Sequence, residues 1–274
     1  MKTVVITGSA KGFGYEMAKV FKQNDFNVVL SDIDEIGLEK AKDSLKKIKN
    51  NAKVERFVCD VSKYEQIDEL WNFAKKKFKT VDIWINNAGV NQPNKPIFEL
   101  TQKEIDFLLD VDLKGTLYGS QIAFEGMKNQ GFGQIYNVEG YGSNDAMMTG
   151  LNLYGTSKRA LTHFTQALAK ESDELTNGKV CVCRLTPGIM ITGFLSNANG
   201  GTTKVELSEQ TKKIYNILGD YPDTIANYVV PRMIKNTKNN AKVVWLTGLR
   251  AMSRFLTAGF KKRDFFTEIN NNNN

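Results

Sequence analysis

Two side chains four residues apart could move a proton. Tyr154 and Lys158 close the run Tyr-Gly-Thr-Ser-Lys, and a spacing of i and i+4 puts both on one helix face. A phenol titrates near ~10 in water. A neighbouring ammonium favours its anion, so Lys158 is expected to lower the Tyr154 pKa. A phenol shifted that way can exchange a proton with an alcohol near neutral pH. Such pairs are common on helices, so the pair alone carries little. Near the start of the chain stands Thr7-Gly8-Ser9-Ala10-Lys11-Gly12-Phe13-Gly14, after an apolar strand pattern and before a helical one. A glycine-rich turn in that place aims backbone N–H groups and the positive end of a helix dipole the same way, which suits a pyrophosphate. The plainer alternative is a turn that only joins strand to helix. Asp32 follows the loop by about 20 residues, where a carboxylate can accept hydrogen bonds from ribose hydroxyls and repel a 2′-phosphate. Its own plainer alternative is a helix N-cap.

Short apolar strands and amphipathic helices must position these residues. Strands are predicted over 2–6, 26–30, 54–58, 81–85, 133–138, 180–185 and 242–246. Helices are predicted over 15–24, 35–50, 63–78, 101–127, 154–174, 206–218, 221–235 and 249–266. In the second helix Leu38, Ala41, Leu45 and Ile48 recur at helical spacing. Pro222 sits early in the 221–235 helix, where a missing N–H costs nothing.

The motifs in this order resemble the short-chain dehydrogenase/reductase family. They are the Thr-Gly-x3-Gly-x-Gly loop, Asp60-Val61 after the third strand, Asn86-Asn87-Ala88-Gly89 after the fourth, Tyr154-x3-Lys158, and Pro187-Gly188 with Thr192 beyond. The resemblance implies an α/β fold, a Rossmann-type doubly wound parallel seven-stranded sheet in three layers. It implies NAD(P)(H)-dependent hydride transfer between nicotinamide and a carbonyl or alcohol. Gly8, Ser9, Lys11, Gly12, Phe13 and Gly14 would then hold the pyrophosphate end, with Asp60 and Val61 beside the adenine. Asn87, Ala88 and Gly89 would let the cofactor pass close to the backbone. Lys158 would hold the nicotinamide ribose, and the turn at Pro187, Gly188 and Ile189 with the Thr192 hydroxyl would clamp the carboxamide. Lys11 stands where the family often touches a 2′-phosphate and so opposes Asp32. Asp32 weighs more, which favours NAD with NADP as the alternative. Asp112 stands where the family usually has Asn, in a helix kink that feeds a proton relay, and could pair with a nearby ammonium. The serine expected three residues after Asn137 is replaced by Gly140, preceded by Glu139. Ser143 and Tyr141 are the nearest hydroxyls, and Ser143 is taken for the role. The stretches 137–143, 221–226 and 230–233 are similar to the chlorophyll b reductase branch. That branch also has an acidic-Gly pair in the serine's place, generally prefers NADPH, and lacks the acidic residue at Asp32. A bulky apolar substrate is implied. The competing readings are a dinucleotide-binding regulator that lost turnover with the serine, and a membrane-surface scaffold.

The 274 residues are 41% hydrophobic, which suits a globular chain with a sizeable core. The formal net charge is +7, but its lysines (Lys40, Lys42, Lys46, Lys47, Lys49; Lys75, Lys76, Lys77, Lys79) are spread over helix faces among acidic residues, so no nucleic-acid partner is expected. Cys181 and Cys183 share a strand face and the third cysteine, Cys59, stands alone, which argues for reduced thiols and a cytoplasmic setting. No metal pattern is present. His163, the single histidine, suits the surface or a subunit contact. A core strand at the very start leaves no room for a signal peptide, and no run of 18 apolar residues suggests a membrane span. The expected layout is one nucleotide-binding domain over 1–248 with a substrate lid at about 189–219, a basic aromatic helix over 249–266, and a disordered tail over 267–274. That helix could lie on an anionic membrane surface, pack on a partner subunit, or cover the substrate pocket. The family resemblance implies a homo-oligomer.

Overall fold

The computed structural model describes residues 1–198, 203–204, 207–260 and 263–266. Its main sheet holds β1 (Thr3–Thr7), β2 (Asn27–Asp32), β3 (Val54–Val58), β4 (Ile83–Asn86), β5 (Gly133–Val138), β6 (Val180–Thr186) and β7 (Lys242–Val244). All seven are parallel, in the order β3-β2-β1-β4-β5-β6-β7. A parallel sheet needs crossovers, and these supply the helices that cover both faces.

The helices are α1 (Gly12–Gln23), α2 (Glu35–Lys46), α3 (Tyr64–Phe78), α4 (Gln102–Leu108), α5 (Gly115–Gln130), α6 (Asn152–Thr176), the single turn α7 (Gly193–Ser196), α8 (Glu209–Leu218), α9 (Pro222–Lys235) and α10 (Gly248–Thr257). Strand residues alternate between the faces. Val4, Ile6 and Leu30 pack with Met17, Phe21, Leu38 and Val229 from α1, α2 and α9. Val5, Val29 and Trp84 pack on the other side with Leu70, Trp71, Ile122, Met127 and Leu168 from α3, α5 and α6. Each such side chain contributes about 1.5–3 kcal/mol when fully buried.

Several predicted boundaries move, among them the second helix, which ends at Lys46, and the last strand, which ends at Val244; three changes are larger. The helix expected over 101–127 is α4 and α5 joined by a π-helical turn, Leu109–Lys114. The helix expected from 206 starts at Glu209, where Ser208 caps it by accepting from Thr211 N at 3.2 Å. The helix expected over 249–266 ends at Thr257, two residues before Gly259, a poor helix former. Within the expected lid, Asn197–Ala198 pairs antiparallel with Thr203–Lys204. The rest of 199–206 and the expected disordered tail over 267–274 lie outside the described residues, as do Lys261 and Lys262.

The chain order reverses between β1 and β4, and a crevice opens beyond the carboxyl ends of strands at such a switch. The loop after β1 and the Asn87-Ala88-Gly89 segment after β4 both lie there.

Candidate active site

The loop glycines do different jobs. Gly8 and Gly12 have φ of +63° and +62°, a left-handed conformation that costs other residues strain. A Cβ on Gly8 would come within 2.7 Å of Ala88 Cα, and one on Gly14 would press on the Gly8 carbonyl oxygen and lie 2.7 Å from Asn87 Nδ2. A Cβ on Gly12 would meet nothing within 4 Å, so that turn faces open space at the start of α1. Asn87 braces the loop: its Nδ2 donates to the carbonyls of Thr7 and Gly8, both at 2.9 Å. Thr7 Oγ1 accepts from the backbone of Asn87 and Ala88 at 3.0 and 3.1 Å. Ser9 Oγ donates to Ile6 O at 2.8 Å, and Phe13 belongs to the core. These two therefore offer a ligand backbone N–H groups and not side chains.

Asp32 accepts from Ala10 N and Asp34 N, both at 3.1 Å. It is not the N-cap of α2. Asp34 is, accepting from Gly37 N at 2.9 Å. The Asp32 carboxylate thus borders the glycine loop, and Lys11, next in the chain after Ala10, is exposed. Asp60 turns back to accept from Ser62 N at 2.9 Å, and Val61 packs against Gly115.

The residues expected to move a proton come together where α6 meets the π-helical turn. Lys158 Nζ stands 2.8 Å from Asp112 Oδ2 and 5.3 Å from the centre of the Tyr154 ring. All three residues are buried. Asp112 lies in the π-helical turn, whose wider spacing is common at functional sites. Its Oδ1 accepts from Val90 N at 2.6 Å, which joins the cluster to the segment after β4. Burial pushes the Asp112 carboxyl above its usual range, opposed by Lys158. Burial is the largest single influence on Lys158 and works against its charge, but the charge of Asp112, the Tyr154 phenol and the hydrogen bond to Asp112 together outweigh it and hold the ammonium above the ordinary lysine range. Tyr154 corrects the sequence-based expectation. Burial pushes its phenol up to about 12, with Lys158 pulling down and Asp112 and Tyr215 adding to the rise. Lys158 acts in the expected direction, but desolvation is larger.

Replacing Asp112 with Asn tests this balance. The variant removes one influence that raises the phenol and leaves the pull of Lys158 less opposed. The alkaline limb of the pH profile of turnover should then move to lower pH. An unmoved limb would mean that Asp112 does not reach Tyr154 electrically.

Gly140 occupies the seat of the absent serine. A Cβ there would press on the Tyr154 hydroxyl oxygen and lie 3.1 Å from both Tyr154 Cζ and Lys158 Cγ. Gly142 (φ +93°) packs on the backbone of Gly155, so the 140–143 turn lies directly against the start of α6. Ser143 is buried in that turn, with its N donating to Gly140 O at 3.2 Å and its carbonyl accepting from Arg159 Nη1 at 3.3 Å. Glu139 is committed elsewhere. It accepts from Thr162 at 2.9 Å and Thr186 at 2.6 Å, and lies 3.3 Å from Lys242 Nζ.

Beyond β6, Gly188 (φ +76°) abuts Leu246, and Ile189 and Ile191 pair with the backbone of Asp220. Thr192 Oγ1 accepts from Phe194 N at 3.3 Å. Phe194 brings its ring to 6.0 Å from that of Tyr154. Sequence reasoning missed Gln92. Its Oε1 accepts from Tyr154 N at 2.7 Å while its Nε2 donates to Gly150 O at 2.6 Å, which fixes the first turn of α6. No local pattern marks it, because the contact spans 62 residues. His163 is exposed, as expected. The three cysteines are free and buried. Among the described residues no cluster suits a metal ion and no helix is long and apolar enough to cross a membrane.

A doubly wound sheet with this loop and cluster defines an α/β protein of the dinucleotide-binding class. Residues 2–202 match the short chain dehydrogenase family. The chain belongs to that family and is an oxidoreductase acting on carbonyl or alcohol groups. It is 34% identical over 260 residues to the chloroplastic chlorophyll(ide) b reductase NOL of Oryza sativa subsp. japonica, covering 93% of this chain and 74% of the relative. It is 31% identical to the probable chlorophyll(ide) b reductase NYC1 of the same plant, covering 97% of this chain but only 54% of that longer relative. Levodione reductase superposes with a TM-score of 0.78 over 91% of this chain and 98% of its own, at 22% identity, a likeness of fold.

Proposed function

We propose that the protein reduces the carbonyl of a bulky apolar substrate with a nicotinamide dinucleotide, NAD before NADP. The buried chain Tyr154, Lys158 and Asp112 carries this reading. The dinucleotide fits the loop, since Gly12 faces open space and α1 begins there. When bound, it supplies the hydride. Gly8, Gly12 and Gly14 would hold its pyrophosphate, Asp32 its adenosine ribose, Lys158 its nicotinamide ribose, and Ile189 with Thr192 its carboxamide. Tyr154, protonated in the free protein at any pH well below about 12, gives its proton to the carbonyl oxygen. Lys158 stays cationic and steadies the phenolate left behind, and Asp112 keeps that ammonium in place. A proton donor already loaded at neutral pH favours reduction over oxidation. Phe194 and Tyr215 on the substrate side suit an apolar body, and the likeness to chlorophyll(ide) b reductases makes bulky tetrapyrrole aldehydes the first compounds to try.

Ser143 is assigned the hydrogen bond to the carbonyl oxygen. Ser143→Ala should cut turnover by about 10²-fold or more, the scale of losing one such donor. An unchanged rate would pass the role to Tyr141.

Fluorescence titration with NADH and NADPH in parallel, followed by turnover on a panel of carbonyls, tests the whole reading. Wild-type protein should bind NADH more tightly. Asp32→Ala should weaken NADH and narrow its margin over NADPH. No change in either would assign the choice to Lys11. The loss of serine at Gly140 favours one other reading, a dinucleotide-binding regulator without turnover. Binding with no reduction across the panel would support that instead.

A further inference from the structure

We propose that α10 docks the protein on an anionic lipid surface through an apolar face turned away from the fold. Thr247 caps the helix, accepting from Arg250 N at 3.2 Å. Leu249, Met252 and Leu256 recur at i, i+3 and i+7 and form one stripe, flanked by Phe255 and by Phe260 just past the helix end. All five are exposed: Leu249 77%, Met252 56%, Phe255 53%, Leu256 73% and Phe260 92%.

The opposite face is basic and points inward. Arg254 Nη1 donates to Asp220 Oδ2 at 2.6 Å and to Leu218 O at 2.9 Å. Arg263 donates to Asp220 Oδ1 at 2.8 Å and to Gly219 O at 2.6 Å. Arg250 stacks 3.7 Å from the centre of the Trp245 ring, and Trp245 Nε1 donates to Asp220 Oδ2 at 2.7 Å. Asp220 is buried. A surface helix ordinarily buries its apolar stripe. Here the ion pairs to Asp220 hold the polar side against the protein and leave the apolar side in water. An exposed apolar patch of this kind marks a contact surface.

Charge selects the occupant. Residues 248–266 hold Arg250, Arg254, Lys261, Lys262 and Arg263 against Asp264, and Asp220, paired with Arg254 and Arg263, leaves a surplus of three positive charges. A second copy seated on the same face would bring two such surpluses within about one Debye length, ~8 Å at physiological salt. An anionic bilayer offers hydrocarbon to the stripe and a negative surface that attracts the net positive charge of the segment. The inference rests on α10 and its anchors, not on the assignment of cofactor or substrate.

The test is co-sedimentation of the full chain with phosphatidylcholine vesicles, with and without phosphatidylserine, beside analytical ultracentrifugation of the protein alone. The serine-lipid vesicles should carry the protein down, less so as salt rises, and plain phosphatidylcholine should carry little. Leu256→Glu combined with Phe260→Glu should weaken binding about tenfold or more, while the NADH titration and melting curve stay as in wild type, since both side chains are exposed. Failure to bind either vesicle would overturn the proposal. So would undiminished binding by the double variant, or equal binding to both vesicle types. An oligomer that the double variant splits, with no lipid binding by wild type, would give the face to a second copy.

Discussion

Replacing Tyr154 with Phe should lower carbonyl reduction by about 10²–10⁴-fold, the usual worth of a positioned proton donor, and leave dinucleotide binding nearly unchanged. The substitution removes one oxygen and keeps the ring. The ring packs in a small cluster with Leu100, Leu108 and Leu153, contacts that Phe retains. No hydrogen bond from a described residue reaches the hydroxyl, so its removal leaves no buried partner unsatisfied and should cost little stability. Gln92 holds the backbone N–H of residue 154 whatever the side chain. The variant should therefore melt like wild type, titrate like wild type, and fail only in turnover. Pre-steady-state reduction of a carbonyl by the loaded protein reads this most directly. Full activity would show that the proton comes from elsewhere, with Tyr215 or Tyr141 next in reach, and would sink the assigned mechanism.

The patterns that were legible in the sequence are those set by neighbours in the chain. Strand and helix periods placed all seven strands, because a parallel sheet buried on both faces needs apolar runs. The glycine loop was readable because only glycine takes φ near +60° cheaply at Gly8 and Gly12. The pairing of Asp112 with an ammonium was within reach, since an acid in place of Asn inside an apolar helix needs a cation. The sign of the Tyr154 shift was not. It depends on how completely Phe194, Tyr215 and the 140–143 turn exclude water, and burial is a property of the packed structure. Gln92 escaped because its two bonds join segments far apart in the chain. Which way the apolar face of α10 turns stayed open in the sequence for a related reason. Its helical period was plain, but Asp220 decides which side faces the protein, and no local pattern links Asp220 to Arg254 and Arg263.

Gly140→Ser puts back the residue type that the family pattern expects, and it should inactivate the protein by about 10²-fold or more. The backbone itself does not forbid a side chain, because the φ of Gly140 is not among the positive ones. The obstacle is what stands opposite. A Cβ would press on the Tyr154 hydroxyl oxygen, with Tyr154 Cζ and Lys158 Cγ each at 3.1 Å. The phenol is a rigid ring in a buried seat and Lys158 is tied to Asp112 at 2.8 Å, so neither can yield without moving the group proposed to carry the proton. A displacement of about 1 Å at such a group can cost 10²-fold. Gly140→Ala should fail equally, which separates the steric cause from any effect of the added hydroxyl. Both variants should still bind NADH, since the glycine loop and Asp32 lie on other elements. A serine at 140 that preserves or raises turnover would show that Tyr154 can retreat, and that Ser143 is not the donor this site relies on.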